Sequence, residues 1–212
     1  DVSIKVLPEN GATSPMAMER FGREAKAIAA LSHPGILSIH DFGREGRTAY
    51  AVTELLEGET LVARLSHGPL PPRKAVEFAV QIANGLASAH ERGVIHRDIK
   101  PGNMMIDHRK RVKIGDFGLA RRVSDDDGSL LKGTAKYIAP EVVSDEFGDV
   151  GPHSDLYALG FSAYELMCGS DNFEDLFPGL SAFGRDKQAA WMMWHAAPDR
   201  RLPDISRVLE GV

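Results

Sequence analysis

The sequence predicts an α+β protein of two unequal lobes: a small one of sheet plus a single helix over residues 1–56, and a larger, mainly helical one over residues 57–212. Three observations carry this. Apolar residues alternate at Val2, Ile4 and Val6 and again in a hairpin pattern between Ile36 and Thr53, with one helical stripe between them. From Pro71 the period lengthens to three and four residues, the mark of amphipathic helices. A polar stretch, VIHRDIKPGN from Val94 to Asn103, stands between the longest helical run and a second hairpin, and a loop held on rigid elements in this way commonly carries function.

Taken in order, Val2 to Val6 reads as a half-buried strand that Pro8, Asn10 and Gly11 break. Ser14 as cap and Pro15 in the first turn open a helix whose stripe is Met18, Phe21, Ala25, Ile28 and Leu31, and His33-Pro34-Gly35 ends it. Ile36 to Phe42 and Thr48 to Thr53 form two strands joined by a turn over Gly43 to Gly46, and Gly58 marks a place for a hinge. Pro72 starts a helix of about five turns with Val76, Ala79, Val80, Ala83, Leu86, Ala87 and His90 as its stripe and Gly93 as its stop. Met104 to Ile106 and Val112 to Ile114 flank the turn Asp107 to Lys110. Ser154 to Gly169 is apolar on most sides and so reads as a buried helix, and Asp204 to Val212 also looks helical.

Composition narrows the function classes. With 212 residues, 43% hydrophobic and 26% charged, the chain can bury a sizeable core. A formal net charge of -5 argues against nucleic acid as a partner, since phosphate binders carry a basic surplus. The single cysteine, Cys168, excludes an internal disulfide and fits a reducing, cytoplasmic compartment. No signal peptide opens the chain, and the longest apolar run, Leu156 to Cys168, is too short for a membrane segment and is broken by Ser162 and Glu165.

Within the polar stretch, a bland reading makes Asp98 a turn cap, Arg97 and Lys100 solvated charges and His96 a satisfied core histidine. Its companions decide against that. HRDIKPGN (His96 to Asn103) is followed by Asp116-Phe117-Gly118 and by Ala139-Pro140-Glu141, and is preceded by Val2-Ser3-Ile4-Lys5. These residues resemble the motif set of the protein kinase family, H-R-D-x-x-x-x-N, D-F-G, A-P-E and V-A-I-K, in the family's order and with serine in place of the alanine. The lysine two places after the aspartate and Gly133-Thr134-Ala135-Lys136-Tyr137 resemble the serine/threonine type, while ELLEGETL (Glu54 to Leu61) resembles bacterial members.

The resemblance implies a two-lobed protein-kinase-like fold whose small lobe lacks its first strands and whose large lobe lacks its last helices. It implies ATP and Mg2+ as cofactors, Ser/Thr hydroxyls of protein substrates as acceptors, and a parent protein with room for a sensor or membrane domain. Asp98 would accept or orient the hydroxyl proton, Lys100 would place a charge beside the transferred group, and Asn103 and Asp116 would be the metal ligands. Lys5 would hold the ATP phosphates and pair with Glu24, or in second place Glu19. Thr53 would be the gatekeeper, the Glu54 carbonyl and Leu56 amide would face adenine, and Met105 would be its apolar floor. Asp155 would support the catalytic-loop backbone. Between Asp116 and Glu141 an activation segment would present Ser129, then Ser124, for phosphorylation, with Arg97 receiving the phosphate; alternatively Asp125 to Asp127 would pair with Arg97 unmodified.

The Gly-rich loop expected upstream of Lys5 has no room in this chain, and the arginine partner of Glu141 would lie beyond Val212, so turnover by this stretch alone is in question. Two rival readings are a pseudokinase or nucleotide-binding interaction module, which the intact Lys5, Asp98, Asn103 and Asp116 oppose, and a small-molecule phosphotransferase, which Ala139-Pro140-Glu141 opposes.

Overall fold

The structure is a computed structural model that describes residues 1–6, 25–46, 48–117, 135–177, 180 and 186–209. Two three-stranded antiparallel sheets lie in sequence, one in each part of the chain. In the first, β1 (Val2–Val6) and β2 (Ile39–Glu45) both pair with the central β3 (Thr48–Glu54). The chain leaves this sheet at Glu54 and enters the second at β4 (Gly58–Thr60), which pairs with β5 (Met104–Asp107), itself paired with β6 (Val112–Ile114). The strand β4 was not expected from the sequence: three residues, GET, carry no alternation to read.

The hairpin β2–β3 is displaced from its expected bounds. The first strand runs on through Gly43 to Glu45, and Gly46, at φ +60°, makes the turn. Gly43 is not a turn glycine. A Cβ there would overlap the ring of Tyr50, its cross-strand partner, so the glycine lets the ring lie over the backbone. Ile36, expected to open the strand, instead makes a parallel bridge to Ile114 and ties the small sheet's approach to the large lobe.

Residues 25–29 are helical (α1), and α2 (Leu61–Leu65) is capped by the Thr60 hydroxyl, which accepts from the Ala63 amide. The long α3 (Pro72–His90) has Pro72 at its first turn and Gly93, at φ +70°, just past its end. Its buried stripe is Ala75, Phe78, Ile82, Gly85, Leu86 and Ala89. The expected stripe is thus rotated: Val76 and Val80 are 55% and 54% exposed. Two valines four apart outweigh alanines in any apolar count, but the close approach of α3 to β6 is made by Gly85, where little else fits. Further on come α4 (Pro140–Val143), α5 (Pro152–Cys168), α6 (Ser170–Asp175) and α7 (Lys187–Ala196). The tail expected to be helical contains only a single 3-10 turn, Ile205–Arg207, among its described residues.

One apolar core joins Ile28, Ile36 and Ala49 of the first part to Phe78, Ile114, Phe161 and Trp191 of the second. Strand β1 is its exception. Val2, Ile4 and Val6, read as the buried face of a strand, are 51%, 63% and 62% exposed, because β1 is an edge strand and no described element covers that face. No helix among the described residues is long and apolar enough to cross a membrane.

Candidate active site

Between the end of α3 and β5 the chain turns on an acceptor buried in α5. Asp155, 1% exposed, takes the His96 amide on Oδ2 at 2.8 Å and the Arg97 amide on Oδ1 at 2.7 Å. Oδ2 also meets His90 Nε2 at 2.8 Å. The grip allows Arg97 its strained backbone, φ +66°, a conformation that a non-glycine residue keeps only when its surroundings impose it.

His96 is fully buried and serves as a spacer. Its Nδ1 accepts the Asp98 amide at 3.2 Å, which leaves Nε2 to carry the proton and donate to the Gly115 carbonyl at 2.9 Å. Its ring rests 4.6 Å from that of Phe117. The loop is thereby tied to the strand end that bears Asp116.

Asp98 and Asn103 then face one another across the 3-10 turn Pro101–Asn103. The Asn103 amide nitrogen donates to the Asp98 carbonyl at 2.7 Å and to its Oδ2 at 2.8 Å, and Lys100 Nζ reaches the same Oδ2 at 2.9 Å. Both N–H groups of Asn103 are spent on Asp98, so its Oδ1 is left as an acceptor. Asp98 Oδ1 is buried and has no hydrogen-bond partner among the described residues, an arrangement that is costly unless something else arrives to donate. The Asn103 carbonyl accepts the Gly115 amide at 2.8 Å, and the next residue, Asp116, stands at φ +57° with its Oδ2 2.6 Å from Lys5 Nζ of β1.

The expected residues Lys5, Asp98, Lys100, Asn103 and Asp116 therefore form one connected chain of contacts across both sheets. Glu24, Glu19, Ser124, Ser129, Thr134, Asp125 to Asp127 and Gly118 lie outside the described residues. Glu54 and Leu56 are half-buried where the chain crosses between the sheets, and Thr53 Oγ1 donates to the Glu54 carbonyl at 3.2 Å. Met105 is half-buried on the face of β5 opposite to Met104 and Ile106, which belong to the core. The Glu54 carboxylate takes Lys113 Nζ at 2.6 Å and the Ser38 amide at 2.8 Å. Burial would raise its pKa, but these partners outweigh burial and hold it below the usual glutamate value.

Sequence reasoning passed over several residues. Lys113 was legible in principle, since Val112 and Ile114 are core and the residue between them must face the other way. Glu165, treated only as an interruption of an apolar run, is 3% exposed and accepts from Lys136 Nζ at 2.7 Å, Tyr137 Oη at 2.6 Å and Ser170 Oγ at 2.9 Å. A carboxylate in an apolar helix demands such partners. Glu141, expected to await an arginine, accepts from Ser154 Oγ at 2.7 Å and lies 3.3 Å from His153 Nε2.

A hard, oxygen-rich set (Asn103 Oδ1, the Asp116 carboxylate) beside a buried aspartate fits a magnesium-bound phosphate group, with the Lys5 ammonium standing where it can neutralise phosphate oxygens. Comparison with known proteins agrees with this chemistry. The family model described as the protein kinase domain matches residues 1–192. The serine/threonine-protein kinase PknA of Mycobacterium tuberculosis is 42% identical over 81% of this chain and 42% of its own length. PknL of the same organism is 37% identical over 100% of this chain and 50% of its own. The chain thus spans half or less of the length of these curated relatives. Among solved structures, the PknI kinase domain of Mycobacterium tuberculosis superposes with a TM-score of 0.71 over 100% of this chain and 72% of that one, at 24% identity, a likeness of fold.

Proposed function

The chain belongs to the protein kinase domain family, and we propose that the protein carrying it transfers the terminal phosphoryl group of ATP to serine or threonine hydroxyls of protein substrates. The observation that carries this reading is the state of Asp98: one oxygen is committed to Asn103 and Lys100, and the other is buried and unpartnered among the described residues. An acceptor hydroxyl is the donor that such an oxygen lacks. Asp98 Oδ1 takes the hydroxyl hydrogen bond, aligns the nucleophile and accepts its proton as the bond to phosphorus forms.

Lys100, held on the opposite oxygen, supplies positive charge beside the transferred group. Asn103 Oδ1 and Asp116 would hold magnesium, which when bound with ATP neutralises charge on the phosphate oxygens. Lys5 orients the nucleotide phosphates, with Glu24 as its partner, and the Glu54 carbonyl, the Leu56 amide and Met105 form the adenine slot. The single buried cysteine supports a cytoplasmic setting for this domain.

A radiolabelled-ATP assay on the full-length protein tests the proposal. Unaltered protein labels itself or an added protein on Ser/Thr, and Asp98→Asn and Lys5→Met each lose at least about a hundredfold. Labelling that persists in both variants overturns the mechanism, and nucleotide binding without transfer by the unaltered protein turns the reading to a pseudokinase.

A further inference from the structure

The turn between β5 and β6 gathers cations on a chain whose formal net charge is -5. Asp107-His108-Arg109-Lys110-Arg111 carries one carboxylate, and the fold spends it internally. Asp107 is 3% exposed; its Oδ1 accepts the Arg109 and Arg111 amides at 2.8 Å and 2.9 Å, and its Oδ2 meets Arg111 Nε at 2.9 Å and Nη2 at 2.8 Å. Burial would raise its pKa, but these donors outweigh burial and hold the carboxyl below the usual aspartate value. The turn is therefore stiff, and the Arg111 charge is matched within it. His108, Arg109 and Lys110 are exposed, and none of their side chains has an ion pair or hydrogen bond among the described residues.

Lys110 stands at φ +61°, a left-handed backbone that glycine or asparagine adopts with less strain. Among the described residues the other non-glycine residues in that region are Arg97 and Asp116, and both belong to the candidate site. An outlier of this kind points to function. Here a long cation is kept where the backbone favours a short side chain, next to a second cation, and neither side chain contributes a bond to the fold. The chemistry of the turn selects among anions. Free backbone N–H groups cradle a compact phosphate, but the Arg109 and Arg111 amides are taken by Asp107 Oδ1 and the Lys110 amide by the Asp107 carbonyl at 2.9 Å. A flat anionic membrane would also meet Glu57, exposed just ahead of Gly58, the cross-strand partner of Asp107. What remains is a narrow strip of side-chain charge, suited to carboxylates spread along an extended peptide.

We propose that the turn 107–111 is a docking point for an acidic segment of a protein partner, with Arg109 and Lys110 as its contacts. The hairpin fixes where that partner is held. Strand β5 follows Asn103 and β6 leads to Asp116, so the turn lies about 13 Å along the strands from those groups. A segment bound there leaves Asp98, Asn103 and Asp116 uncovered and holds its owner beside them. The stiff turn costs little to order, while exposed charge pairs are weak one by one, so the complex is readily reversible and sensitive to salt.

The test is fluorescence anisotropy of fluorescein-labelled hexaglutamate with the full-length protein at low salt. No nucleotide is present, so the outcome stands apart from the kinase reading. Unaltered protein binds the peptide, and added salt weakens the complex. Arg109→Gln combined with Lys110→Asn removes both charges and gives the left-handed position a residue that suits it, so the fold is kept while the dissociation constant rises about fivefold to tenfold. Arg109→Lys combined with Lys110→Arg keeps the charges and stays within about twofold of the unaltered value. As a control, Arg200→Gln combined with Arg201→Gln removes the same charge elsewhere and changes binding by less than about twofold. No binding by the unaltered protein, an unchanged constant in the neutral turn variant, or an equal loss in the control would each overturn the proposal. So would tighter capture of phosphatidylserine–phosphatidylcholine vesicles than of hexaglutamate through the same two side chains, which makes a membrane the occupant. A dimer of the unaltered protein that the neutral turn variant dissolves makes a second copy the occupant and overturns it equally.

Discussion

The Glu54 carboxylate at the end of the first sheet meets the Lys113 ammonium of the second at 2.6 Å, directly beside the crossing between them. Lys113 is only 12% exposed and Glu54 26%, so the pair is largely shielded from water. A second ion pair, Lys5 with Asp116, likewise joins the first sheet to the end of the second.

Replacing Glu54 with Gln leaves a neutral oxygen for Lys113 and should loosen the register between the sheets. The expected result is an ATP KM raised about threefold to tenfold with kcat little changed, read from initial rates. The same pair sets a pH dependence. The Glu54 pKa is depressed in the fold, so its contribution is complete above the ordinary glutamate value and is lost as pH falls through the lower folded value. Chemical denaturation of the unaltered protein should therefore lose stability below about pH 4.5, and Glu54→Gln should lose less across the same range.

Asp155→Ala should disable transfer without touching a reacting group. It strips acceptors from the His96 and Arg97 amides and from His90 at once. Arg97 then has no reason to remain at φ +66° and Asp98 drifts. A fall in kcat of about a hundredfold is expected, with the ATP KM within about threefold. A kcat within about threefold of the unaltered enzyme would show that the loop holds itself.

Lys136→Met leaves Glu165 with hydroxyl donors only, at a site 3% exposed. The cost expected is about 3–5 kcal/mol, or roughly 6–20 °C in Tm at this chain length. Adding Glu165→Leu should restore most of the loss, because an apolar pair of similar volume does not need the compensation. A double variant no more stable than the single one would mean that the network of Tyr137 and Ser170, rather than the charge, is what matters.

Cys168 should resist alkylation. Burial first, and then the neighbouring Glu165 charge, push its thiol up to about 12, and it is 1% exposed. Iodoacetamide at pH 8 should label the folded protein only as fast as the region opens, with labelling accelerating in step with denaturant. Prompt stoichiometric labelling without denaturant would contradict the buried position.

Motif residues were legible because the chemistry proposed for them requires specific functional groups at short separations. Asp98, Lys100 and Asn103 fall within one loop and one turn, so their contacts with one another are short in sequence, while the distant Asp155 holds the loop by its backbone. The order of motifs put Lys5 and Asp116 at one site but named Glu24 as the partner of Lys5, and their direct ion pair came only with the structure. Strand and helix types followed from period, except where a count of apolar side chains misled: Val76 and Val80 on α3, and the face of β1.

What the linear chain established by itself is therefore the succession of sheet, helix, loop and hairpin and the motif residues Lys5, Asp98, Lys100, Asn103 and Asp116, which the fold brings into contact. Only the folded arrangement decided which face of α3 is inside, where Gly43 yields to Tyr50, and how α5 carries the catalytic loop on Asp155 and the stretch beginning at Ala135 through Tyr157 and His195. The reason is physical. Periodicity and short motifs are local properties of a chain, whereas a close approach, a buried carboxylate's partners and a histidine's tautomer depend on residues tens of positions away that packing alone brings within 3 Å.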